Sequence, residues 1–189
     1  YLPTYRKYND TGYGNRDFKN IFGFSEFLTT EFDVFLEENN CKLIFKPHPH
    51  ENDMALNFQR ENNLSNILIF RNDDLLSNDL DLYELLNVSD ILITDYSSVF
   101  YDFLLLDRPM IFTPLDIDKK ELLVESFESW APGPKAFNQG ELQLEISKCL
   151  TEKDYYAEKR NWQLRLQHRY KDGNSSERLW KFIDTIMPG

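Results

Sequence analysis

The stretch from Asp90 to Asp102, D-I-L-I-T-D-Y-S-S-V-F-Y-D, constrains the fold of this chain more than any other. Ile91, Leu92, Ile93 and Thr94 form a short apolar run between polar residues, and helical spacing follows. That pattern suits a parallel strand covered on both faces, a turn at Asp95-Tyr96, and a helix over 97–106 that is apolar almost all round. In open α/β sheets ligands sit outside the carboxyl ends of the strands, where the next helix presents free N–H groups. Ser97 and Ser98 can cap such a helix and can also donate hydroxyls to an anion. On spacing alone, residues 95–98 read two ways: as a phosphate cradle, or as an ordinary capped helix start.

The rest of the chain repeats the same alternation. Residues 1–6 read as a first strand that Pro3 interrupts, followed by a polar loop with Gly12 and Gly14. Arg6 is either a phosphate contact beside that loop or a solvated surface residue. Residues 24–39 have the spacing of an amphipathic helix, with Phe24, Phe27, Leu28, Phe32, Phe35 and Leu36 as its core stripe. Strands follow at 41–45, 66–70 and 110–112, and helices at 53–63 and 82–87, the latter capped by Asp79 or Asp81. Residues 71–78 read as a polar loop, and 131–134, A-P-G-P, as a turn. The C-terminal third is helical at 139–150, 152–167 and 177–187, the last capped by Asn174 or Ser175. Strand and helix alternating about five times predict a doubly wound parallel α/β sheet.

The second strand exits through K-P-H-P-H-E, Lys46 to Glu51. Two prolines fix φ on either side of His48 and hold it stiffly just past the strand end. Lys46, His48 and His50 cluster there, which suits phosphate charge; His50 and Glu51 read equally as the start of the next helix. A metal site needs three or more converging ligands, so H-P-H is a weak case for one.

Composition narrows the classes. At 189 residues, with 41 % apolar and 28 % charged residues, the chain can bury one full core. A net charge of −11 argues against a nucleic-acid surface and against docking on anionic lipid. Cys41 and Cys149 match no disulfide or metal spacing and read as buried thiols of a reducing compartment. No apolar run approaches the roughly 18 residues of a membrane span. The sequence opens at Tyr1 directly in a strand, so the expectation is a piece of a longer protein.

K-P-H-P-H-E at 46–51 and S-D-I-L-I-T-D-Y-S-S-V-F-Y-D at 89–102 closely resemble the CDP-glycerol glycerophosphotransferase family. So do P-T-Y-R at 3–6, R-P-M-I-F at 108–112, P-G-P at 132–134 and D-G-N-S-S-E-R at 172–178. All six occur in the family's order. The resemblance implies a Rossmann-like domain, the C-terminal half of a two-domain enzyme of the GT-B type, with an N-terminal acceptor domain absent from residues 1–189. It implies transfer of glycerol phosphate or another polyol phosphate from a CDP-polyol to a teichoic-acid-like or capsular polymer, with release of CMP. It places His48 beside the donor pyrophosphate as the catalytic residue, and Ser97 and Ser98 as phosphate ligands. Asp95 would fix the turn, and Asp102 would face polyol or ribose hydroxyls. Arg6, Lys46 and His50 complete the expected substrate-binding set, and residues 71–74 lie where such folds usually read the base.

No protein-held metal or other cofactor is expected, although Mg²⁺ can accompany the donor diphosphate. The expected partners are CDP-glycerol or a related CDP-polyol and, through the missing half, a lipid-linked polymer acceptor at the cytoplasmic face of the membrane, with no nucleic acid. The rival readings are a sugar-nucleotide glycosyltransferase or epimerase of the same fold, and a degenerate domain kept for protein contacts.

Overall fold

The computed structural model describes residues 1–3, 20–114 and 130–187, apart from the side chain of His50. Arg6, the loop with Gly12 and Gly14, and the segment 115–129 lie outside the described residues.

Parallel strands carry the fold: β1 (Leu43–Phe45), β2 (Ile67–Ile69), β3 (Leu92–Thr94) and β4 (Met110–Phe112). They pair as two two-stranded sheets, with Leu43 opposite Ile67 and Leu92 opposite Met110. Tyr1 and Leu2 join the two sheets. On one side the Tyr1 nitrogen donates to Ile44 O (2.6 Å) and Lys46 N donates to Tyr1 O (3.0 Å). On the other, Leu2 N donates to Ile93 O (3.0 Å), and Leu2 bridges Thr94 in parallel. The order across is therefore β2, β1, Tyr1-Leu2, β3, β4, with Lys135 bridging Phe112 at the far edge.

Eight helices are described: α1 (Thr29–Glu38), α2 (Asn52–Glu61), α3 (Asn72–Ser77), α4 (Leu82–Val88), α5 (Val99–Phe103), α6 (Gln139–Thr151), α7 (Ala157–Gln167) and α8 (Ser175–Ile186). Because successive strand residues point to opposite faces, the core divides in two. Phe45, Ile93 and Ile111 pack with Phe32 of α1, Phe58 of α2 and Ile146 of α6. Leu92, Met110 and Phe112 pack with Leu86 of α4 and Phe100 and Phe103 of α5. Helices thus cover both faces of β3 and β4.

Several expectations need correction. The first helix begins at Thr29, not at 24, because the Asn20 side chain folds the preceding segment into a turn. Asn20 Oδ1 accepts from Gly23 N (2.5 Å) and Phe24 N (2.9 Å), and its amide donates to Phe24 O. Gly23 takes a positive φ of 79° there. Leu28 consequently stays exposed at 58 %, while Phe32 and Leu36 are buried as expected. Residues 72–77 are helical rather than loop. Asp74 accepts from the backbone and the guanidinium of Arg71, closing a box that starts α3. The helix after β3 is α-helical only over Val99–Phe103 and then tightens to a 3₁₀ turn, Leu104–Leu106. The expected helix over 152–167 starts at Ala157, behind Tyr156 at φ 58°. Asp81 does cap α4, accepting from Glu84 N (2.8 Å).

Cys41 and Cys149 are free and half-buried rather than fully buried. Burial pushes both thiols up, Cys149 to about 12, with Glu145 acting in the same direction. At pH 8 the Cys149 thiolate is then roughly one part in 10⁴. Titration of the folded protein with an aromatic disulfide at that pH should leave Cys149 unmodified until denaturant is added; prompt reaction of both thiols would contradict this.

Candidate functional site

Two strand exits meet at one edge of the sheet. β1 ends at Phe45 and leaves through Lys46-Pro47-His48; β3 ends at Thr94 and leaves through Asp95-Tyr96-Ser97-Ser98. Only the Tyr1-Leu2 position separates them, so the two exits stand roughly 10 Å apart across the sheet. Both are carboxyl ends of parallel strands, where the strand order runs outward in both directions from Tyr1-Leu2. That is where open α/β sheets bind ligands.

Pro47 is buried and His48 half-exposed, and the His48 carbonyl accepts from Glu51 N (2.8 Å). This bond closes the 3₁₀ turn Pro49–Glu51, which leads into α2. His50 lies on that turn, so its backbone belongs to the helix entry; its side chain is outside the described residues. Glu51, the last residue of the motif, is buried at 1 %.

Lys46 is half-buried, and burial lowers its pKa below the ordinary lysine range. An anion placed beside it would reverse that shift, since opposite charge favours the ionised form.

Asp95 is fully buried, and its Oδ1 accepts from Ser97 N (3.1 Å), which sets the direction in which the chain leaves β3. Ser98 occupies the N-cap position of α5 but makes no capping bond with its side chain. The expected capping role therefore fails for Ser98: its own backbone is already α-helical (φ −62°, ψ −12°), and a cap bond needs an extended residue there. Ser97 Oγ lies 3.5 Å from Val99 N, a long contact. Ser98 is exposed and Ser97 half-exposed. Asp102 sits in α5 just beyond, exposed. The structure thus brings Lys46, His48, Asp95, Ser97 and Ser98 to one sheet edge. Arg6 lies outside the described residues.

Residues 71–74, expected to lie where the base is read, form a helix start. Arg71 is held by Asp74 through Nε–Oδ2 (2.8 Å) and Nη2–Oδ1 (2.6 Å), and this pairing raises the Arg71 pKa and lowers that of Asp74. A cavity of about 560 Å³ lies at the opposite, amino-terminal end of the strands, lined by Tyr1, Cys41, Ile44, Asp90 and Ile91 among others. It is on the wrong side of the sheet to be the site described above. Among the described residues no three His, Cys, Asp or Glu side chains converge as a metal centre would require, and no helix is long and apolar enough to cross a membrane.

The family described as CDP-glycerol:poly(glycerophosphate) glycerophosphotransferase matches residues 1–185. The teichoic acid ribitol-phosphate polymerase TarK of Staphylococcus aureus is 33 % identical over 152 residues, covering 78 % of this chain and 27 % of that protein. The teichoic acid glycerol-phosphate primase of Bacillus subtilis is 34 % identical over 109 residues, 56 % of this chain and 27 % of that protein. The chain therefore spans about a quarter of the length of these curated relatives. In three dimensions it is similar to the wall teichoic acid polymerase TagF, with a TM-score of 0.64 at 24 % identity, over 97 % of this chain and 42 % of that one. That likeness concerns the α/β fold. With the family matched across nearly its whole length, and its two strand-exit motifs standing side by side, the chain belongs to the CDP-glycerol:poly(glycerophosphate) glycerophosphotransferase family.

Proposed function

We propose that this chain is the donor-binding part of a transferase that moves glycerol phosphate, or another polyol phosphate, from a CDP-polyol to a growing teichoic-acid-like or capsular polymer and releases CMP. The observation that carries the reading is the convergence of K-P-H-P-H-E and D-Y-S-S at the carboxyl edge, either side of Tyr1-Leu2. The strand order, with helices on both faces, supports a Rossmann-like domain of a GT-B type enzyme. The relatives are roughly two to three times longer than this chain, which supports an acceptor-binding part elsewhere in the complete protein. By the same analogy, the complete enzyme works at the cytoplasmic face of the membrane on a lipid-linked acceptor.

In this reading an acceptor hydroxyl attacks the β-phosphorus and CMP leaves. Transfer of a phosphoryl-type group asks a protein mainly to position the reactants and to neutralise charge on the transferring and leaving oxygens. His48, kept close to the sheet edge by Pro47 and Pro49, serves as the cation or proton donor nearest the diphosphate; an adjacent pyrophosphate favours an imidazolium. Ser97 and Ser98 donate hydroxyls, and Asp95 holds their turn in place. Asp102, on α5, serves the polyol or ribose hydroxyls, while Arg6, Lys46 and His50 serve the phosphates. Mg²⁺, where present, rides on the donor diphosphate.

Calorimetric titration with CDP-glycerol, CMP and a UDP-sugar tests the proposal. The expected result is cytidine-selective binding without polymer formation by this chain on its own. Preference for the UDP-sugar would move the assignment to a glycosyltransferase or epimerase. Polymer synthesis by the isolated chain at the rate of an intact enzyme would refute the division of labour.

A further inference from the structure

We infer that α7 is a splint for α5, the helix that follows Asp95-Tyr96-Ser97-Ser98, and that His168 is the positioning residue through which it holds the donor-binding turn. The inference deepens the donor-binding reading and rests on it. α5 has little support within its own sequence. It is α-helical over Val99–Phe103 only, Ser98 gives it no side-chain cap, and it tightens at once to the 3₁₀ turn Leu104–Leu106. A helix that short does not keep its shape alone. Burial of Phe100 and Phe103 presses its inner face into the core, with Asp102 exposed on the outer side. Apolar burial is non-directional, however, and leaves rotation about the helix axis weakly fixed.

α7 supplies the missing direction. His168, the C-cap residue of α7, donates from Nε2 to the Tyr101 carbonyl (2.7 Å). That carbonyl belongs to the peptide unit joining Tyr101 to Asp102. Earlier in α7, Arg160 is buried at 3 % and donates from Nε to Asp107 Oδ1 (3.2 Å), at the end of the 3₁₀ turn. The two contacts run in opposite chain order, so α7 lies antiparallel along α5 and its turn. The spacing agrees: residues 160–168 span about 12 Å of helix, and residues 101–107 about 10 Å. Between the two contacts Leu164 packs into the second core cluster. A hydrogen bond constrains angle as well as distance, so the His168 contact fixes the rotation of α5 that packing leaves loose. Ser97, Ser98 and Asp102 turn with that helix. Ligand-binding groups keep their geometry only when residues that do not touch the ligand lock it.

The test is calorimetric titration of the wild type, His168→Ala, His168→Gln and Asp81→Ala with CDP-glycerol, well below their thermal midpoints, which are measured without ligand. His168→Ala should weaken binding about three- to tenfold, because the Tyr101 carbonyl loses its donor and α5 its orientation. His168→Gln carries an amide N–H to roughly the place of Nε2 and should stay within about twofold of the wild type. Asp81→Ala is the control for stability alone. It removes the exposed cap of α4 and should lower the unliganded midpoint by about 2–4 °C, as His168→Ala does, with affinity within about twofold. Binding by His168→Ala as tight as by the wild type would overturn the inference and leave the donor reading intact. So would an equal loss of affinity in Asp81→Ala, which would tie binding to overall stability. Failure of the wild type to bind CDP-glycerol would overturn the donor reading and this inference with it.

Discussion

Gly133→Ala should destabilise this protein by about 3 kcal/mol or more, a lower thermal midpoint by roughly 6–12 °C for a chain of this size. Gly133 lies in the P-G-P segment, whose backbone pairs with the edge of the sheet. Phe112 N donates to Pro134 O (2.9 Å), and Ala136 N donates to Phe112 O (2.8 Å). The chain here runs so close over β4 that a Cβ on residue 133 would collide with the Met110 carbonyl oxygen and sit 3.0 Å from its carbon. It would also press within 3.3 Å of Phe112 Cε2. The obstacle is strand backbone, which cannot rotate away as a side chain could. Met110, Phe112 and Ala131 are all buried at 1 % or less, so relief would open the second core cluster. Thermal unfolding followed by circular dichroism reads the effect directly. An unchanged midpoint would mean that the segment does not lie against β4 as described.

The second large effect is on turnover. In the complete enzyme, His48→Ala should lower kcat by about 10²–10³, the usual cost of removing one preorganised group that stabilises developing charge. The fold should tolerate it: the bond that closes the turn uses the His48 carbonyl, which alanine retains. Both prolines also remain, so the thermal midpoint should move by only about 2–4 °C. CMP release from CDP-glycerol under saturating donor separates kcat from binding. A kcat within threefold of the wild type would remove His48 from the chemistry. A loss in KM alone would make it a binding residue.

Much of this arrangement could be read along the chain. The run I-L-I-T is continuous and apolar because β3 is buried on both faces; Leu92, Ile93 and Thr94 are each at 5 % exposure or less. The prolines of K-P-H-P and the polar D-Y-S-S both announce a strand end, since proline cannot continue a ladder and short polar side chains favour turns. Both exits were therefore placed correctly. Local competition defeated other expectations. Arg71 and Asp74 build a helix start from residues that look like a polar loop, and Asn20 turns a segment whose phenylalanines keep helical spacing. In each case side-chain hydrogen bonds to the backbone outweighed a weak propensity.

The sequence by itself determined the elements that matter, the polar motifs at their ends, and the family to which they belong. Hydrophobic periodicity and turn chemistry are local, and they act over a few residues. Only the tertiary structure decided that Tyr1-Leu2 inserts between β1 and β3, so that the exits carrying His48 and Ser97, 49 residues apart in sequence, stand a single strand position apart. It also decided that the Arg71 guanidinium is held by Asp74. Strand neighbours and ion-pair partners are chosen by hydrogen bonds, packing and desolvation between segments distant in the chain, and no local pattern encodes that choice.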